Sequence, residues 1–122
     1  VPQETPMPHV ILYSPLTLAE IGSRFAPLQE TADAIHVRLP MLFAAQGADL
    51  LLAEAYISEE PVSQRVGLLV RQRAENYYLI GLSEIGFPRP TPGVQLAIAC
   101  LARWLLSLHP DTAVQHSNIP SL

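Results

Sequence analysis

Two ten-residue segments, Arg65 to Ala74 and Tyr77 to Gly86, flank the pair Glu75-Asn76. No other feature constrains the fold as tightly. Asn accepts the positive φ that a two-residue hairpin turn requires, so this stretch is committed to an antiparallel ladder. With Glu75-Asn76 as the loop, Ala74 faces Tyr77 and each earlier residue pairs with its mirror. One face then shows Val66, Leu68, Val70, Gln72 and Ala74 with Tyr77, Leu79, Gly81, Ser83 and Ile85. The other shows Arg65, Gly67, Leu69, Arg71 and Arg73 with Tyr78, Ile80, Leu82 and Glu84. The first face is the expected core. The second is apolar towards the open end and cationic near the turn.

The rest of the chain supplies partners for this hairpin. His9 to Tyr13 is a short apolar run that suits a buried strand. Ser14-Pro15 reads as a helix start, with Ser14 as N-cap, and Leu18, Ile21, Phe25 and Leu28 follow at helical spacing. Ala34 to Pro40 alternates as a half-buried strand, and Asp49 to Ser58 reads as a strand in preference to a helix. Phe87 to Pro92 is a stiff, Pro-rich connector. Thr91 then caps a helix with Pro92 at its first position, running to His109. Twelve of the fifteen residues from Val94 to Leu108 are apolar, so this helix must be covered on more than one side. The expected architecture is α+β: an antiparallel-rich sheet of four to five strands, with a short N-terminal helix and a long apolar C-terminal helix packed on one face. The single globular domain spans 9–110, between loose tails at 1–8 and 111–122.

Composition excludes several chemistries. At 122 residues with 49% apolar residues, the chain can build one core and is not intrinsically disordered. The single Cys100 excludes an intramolecular disulfide framework and a cysteine zinc site. Lysine is absent, which removes Schiff-base chemistry and a Walker-type phosphate loop. His9, His36, His109 and His116 lie far apart with no ligand spacing, so neither a metal nor a cofactor is expected. Gly81-Leu-Ser83-Glu-Ile-Gly86 has the wrong spacing for a nucleophile elbow and sits in a strand. The longest apolar run is too short to span a bilayer. The acidic, Pro-rich first residues do not resemble a secretory signal, and a cytoplasmic location is the expectation.

Arg65, Arg71, Arg73 and Tyr78 form the one polar constellation with geometric content. Three guanidiniums beside an aromatic ring on one hairpin face suit an anion, a base or an acidic peptide. A solvated strand face with an Arg65–Glu84 pair is the plainer reading. The formal charge of −4 argues against nucleic acid. The apolar surplus of the second hairpin face, left over once helices cover one side of the sheet, points to a homo-oligomer or a protein partner. The expected function is therefore a non-catalytic protein-interaction module: a small acidic adaptor, a chaperone-like subunit or an inhibitor, acting as a homo-oligomer. The alternative is an enzyme or enzyme subunit whose site is assembled at an oligomer interface. A second alternative is anion or RNA binding through the Arg-rich hairpin face.

Overall fold

A computed structural model describes residues 7–45, 49–83, 89, 91–120 and 122. Along the chain lie β1 (His9–Tyr13), α1 (Leu18–Ser23), β2 (Leu28–Ala32), β3 (Ile35–Ala44), β4 (Leu50–Ser58), β5 (Ser63–Ala74), β6 (Tyr77–Leu82), α2 (Pro92–Ser107) and β7 (Ala113–Ser117). The strands form one seven-stranded sheet in the order β2-β3-β4-β5-β6-β1-β7, antiparallel at every pairing. It curls into a half-barrel around α2, which packs against β1, β2, β3, β4 and β6. This corrects the expected fold of four to five strands with a long terminal helix. The chain is mostly sheet, its two helices are short, and α2 is followed by another strand.

Two of the extra strands explain the difference. Leu28, read at helical spacing after Ile21 and Phe25, instead opens the strand Leu28-Gln-Glu-Thr-Ala32, which alternates half-buried and exposed residues and pairs with β3 through a turn at Asp33. Asp33 sits at φ 52°, a left-handed conformation that Asp tolerates better than most residues. Residues 113–117 were expected to be a loose tail and instead form β7 on the open edge of β1. Asn118 locks that edge: its Oδ1 accepts the His9 N–H at 2.7 Å and its Nδ2 donates to the Met7 carbonyl at 2.9 Å. Ile119, just beyond, is buried.

The first helix starts later than Ser14. Thr17 is the N-cap, and a reciprocal capping box joins it to Glu20. Hydrogen bonding of the Glu20 carboxyl to the Thr17 backbone N–H, and then to the Thr17 side chain, holds it below its ordinary pKa. Ser14 is buried instead, its Oγ accepting from the Leu16 N–H and from Thr112 Oγ1. At α2, Thr91 caps through Val94 with Pro92 in the first turn, as its sequence pattern requires.

The concave side of the sheet is the core. Val10, Leu12, Val37, Leu39, Ile57, Leu68, Val70 and Ile80 are all buried there against Ile98, Leu101 and Leu105 of α2. Cys100 lies in the same helix, and burial pushes its thiol up to about 11, so it packs as a small inert apolar group.

Candidate functional site

The hairpin forms, but a β-bulge beside its turn changes which residues share a face. Ala74 pairs with Tyr77 as expected, and Asn76 takes φ 66°. The register then shifts between Gln72 and Ala74, so Gln72 faces Tyr78, Arg71 faces Leu79, Val70 faces Ile80 and Leu68 faces Leu82. A slip of one residue sends every later side chain of a strand to the other side of the sheet. Tyr78, Ile80 and Leu82 therefore turn into the core with Val66, Leu68 and Val70, while Leu79 and Gly81 turn outwards.

The four sequence-selected residues are thus not one cluster. Tyr78 is 1% exposed, and its hydroxyl donates to the Leu16 carbonyl at 2.6 Å. Burial, and then the Glu20 charge, raises its pKa. It is a core residue and leaves the site. Arg65 lies on the outer face at the far end of the strand, paired with Glu54 at 3.3 Å instead of with Glu84. Glu84 itself lies outside the described residues. Arg71 and Arg73 share one groove on the outer face, are exposed, and have no ion-pair partner among the described residues.

Cross-strand pairing lays the outer face out in rows. Phe43, Leu52, Leu69, Gly81 and His9 make one row across β3, β4, β5, β6 and β1. Leu50, Arg71, Leu79, Ile11 and His116 make the next. On the other side of the first row, Met41, Glu54 and Gly67 align, followed by Arg38, Tyr56 and Arg65. The middle of the face is therefore apolar. Phe43 is 51% exposed and Met41 42%, while Leu50, Leu52, Leu69 and Leu79 are half-buried with no second layer over them among the described residues. Glycine at 81 leaves a trough between Leu69 and His9, part of a groove of about 640 Å³ rimmed by Met7, Pro8, Arg71 and Arg73.

The opposite end is a network satisfied within itself. Tyr56 donates to Glu54 Oε1 at 3.0 Å, Arg65 shares that oxygen, and the Arg38 guanidinium stacks over the Tyr56 ring at 5.2 Å. His36 meets Thr31 at 3.0 Å and pairs with Ser58, so it does not reach Glu54. His36, Arg38, Tyr56 and Arg65 line a shallow hollow of about 440 Å³ with no carboxylate among its described lining residues. A third hollow of about 530 Å³ lies between α1 and the β3–β4 end, lined by Leu18, Ala19, Gly22, Leu42 and Leu51. Among the described lining residues Ser23 brings the one polar side chain, too little to orient a substrate. Among the described residues no three metal-binding side chains come together, and no helix is long and apolar enough to cross a membrane.

Charge is distributed unevenly over the molecule. Four of the seven arginines (Arg38, Arg65, Arg71 and Arg73) stand on the outer face, and Glu54 is the one acidic strand residue there among those described. Of the other described acidic residues, Glu20 stands in α1 and Glu30 pairs with Arg103 of α2. No family model matches this chain, no curated protein matches it, and no solved structure does. Function is therefore read from the geometry of the face itself.

Proposed function

We propose that the protein is a non-catalytic interaction module that docks a protein partner on the outer face of its sheet. The observation that carries this reading is the apolar stripe from Phe43 through Leu52 and Leu69 to Leu79, covered by no second layer among the described residues and edged by Arg71 and Arg73, which have no ion-pair partner among them. Contiguous exposed apolar surface with a polar rim marks interaction sites, because leaving it in water costs about 25 cal/mol for each Å². Apolar centre and arginine rim also match the make-up of protein interfaces. Among the described residues the face carries one acidic strand residue, Glu54, already engaged by Tyr56 and Arg65, which favours a docking surface over an acid–base site.

The test is a random-peptide display selection against the immobilised protein. Peptides should be enriched, and their binding should be lost in Phe43→Glu/Leu69→Glu, whose far-UV and near-UV circular dichroism should match the parent. An empty selection, or enriched peptides that bind the double variant as well as the parent, would contradict the proposal.

A further inference from the structure

Given that docking face, we infer the chemistry of its occupant: a peptide segment of another protein in which a short apolar run is followed directly by acidic residues. The groove itself supplies both halves of the argument. Its floor is Leu50, Leu52, Leu69, Leu79 and the backbone of Gly81, which can be covered only by apolar side chains without stranding polar groups. Its flank carries Arg71 and Arg73, two exposed guanidiniums with no acidic partner among the described residues. Guanidiniums bind carboxylates in paired, charge-assisted hydrogen bonds, so two of them beside an apolar floor select a carboxylate-bearing segment. The trough crosses β4, β5, β6 and β1. At about 4.8 Å between neighbouring strands this is roughly 14 Å, the span of about four extended residues.

Two other occupants fit less well. A second copy related by a two-fold axis would set this cationic face against itself, and like charges brought together at an interface cost affinity. An anionic membrane would attract the arginines but would also repel the remainder of a chain of net charge −4. A short peptide meets only the groove, within about one Debye length of the arginines.

The experiment uses three fluorescein-labelled peptides sharing the run Leu-Val-Leu-Ala and ending in Asp-Glu, Gln-Gln or Lys-Lys. Fluorescence anisotropy should show the acidic peptide binding at least tenfold more tightly than the other two, with affinity falling as salt is raised from 50 to 300 mM. Arg71→Glu/Arg73→Glu should reverse the order and favour the Lys-Lys peptide, which also shows that the variant is folded. Equal binding of all three peptides that is lost in Phe43→Glu/Leu69→Glu would overturn the acidic-partner inference and leave the docking face standing. Binding by none of them, together with an empty display selection, would overturn both. Dimerisation at micromolar concentration in sedimentation velocity, or capture by phosphatidylserine vesicles, that blocks the acidic peptide would assign the groove to another occupant and overturn the inference.

Discussion

The two faces of this sheet are built from alternate residues of the same strands, yet they meet opposite fates. On β5, Val66, Leu68 and Val70 are buried against α2, while Gly67, Leu69 and Arg71 between them face outwards. On β4, Leu51, Ala53, Ala55 and Ile57 are buried and Leu50, Leu52, Glu54 and Tyr56 are not. The concave face is covered by α2, with α1 packed at the β3–β4 end. The convex face has comparable leucines and, among the described residues, no second layer over them. Apolar residues on the covered side stabilise the fold. On the other side the same residue types bury less surface in folding, and it is there that we propose a partner docks.

Substitutions can break or sharpen that contrast. The largest effect belongs to the concave side: Leu101→Ala or Leu105→Ala should cost about 2–5 kcal/mol by urea unfolding, the range for truncating a buried leucine. An unmoved midpoint would mean that α2 is not the core of the half-barrel.

A pH effect follows from the same side. Burial raises the Cys100 thiol from 9.0 to about 11 in the folded protein, so folding favours the protonated form. The stability this contributes is complete below pH 9 and is lost progressively as pH rises towards about 11. At about 1.4 kcal/mol for each pH unit, the loss is at most about 3 kcal/mol. Cys100→Ala should flatten that part of the urea-derived stability profile between pH 9 and 11. A profile identical to the parent's would show that the thiol ionises as freely in the folded chain as in the unfolded one.

Tyr78→Phe should cost about 1–2 kcal/mol, because the Leu16 carbonyl loses the 2.6 Å hydrogen bond it receives in the core. A neutral substitution would return Tyr78 to the solvent side where the mirror pairing placed it. The smallest change belongs to the convex side. Arg71→Ala/Arg73→Ala should alter unfolding free energy by less than about 0.5 kcal/mol, as exposed strand arginines usually do. A loss above about 2 kcal/mol would make the arginines part of the fold instead of a free rim.

Much of the sheet is legible in local pattern, and what is hidden has a physical cause. His9 to Tyr13, the alternation at Ile35, Val37 and Leu39, and the Glu75-Asn76 turn all signal their strands directly. The Thr91-Pro92 cap does the same for α2. β7 is silent because its sequence, Ala-Val-Gln-His-Ser, has little pattern of its own. The open edge of β1 makes it a strand. β2 is masked because Leu28 continues the helical spacing of Leu18, Ile21 and Phe25. The site was misread through a single residue: the bulge beside the turn keeps Arg71 and Arg73 outside and rotates Tyr78 inwards. Bulges leave no reliable mark in one sequence, so a mirror-register argument is safe only up to the first one. Leu69, Arg71 and Arg73 of the second hairpin face do line the convex groove, but on β6 it is Leu79 and Gly81 of the other expected face that join them, because the bulge turns Tyr78 and Ile80 into the core.

The central claim is that ligand and core occupy opposite sides of one sheet. Backbone amide chemical-shift mapping of the ¹⁵N-labelled protein against the acidic Leu-Val-Leu-Ala-Asp-Glu peptide tests it most directly. Leu52, Leu69, Arg71, Leu79 and Gly81 should shift in a saturable way, while Ile98, Leu101 and Leu105 of α2 and the residues lining the α1 hollow stay in place. Shifts concentrated on α2, or on Leu18, Ala19 and Leu42 beside α1, with β5 and β6 unmoved, would contradict it.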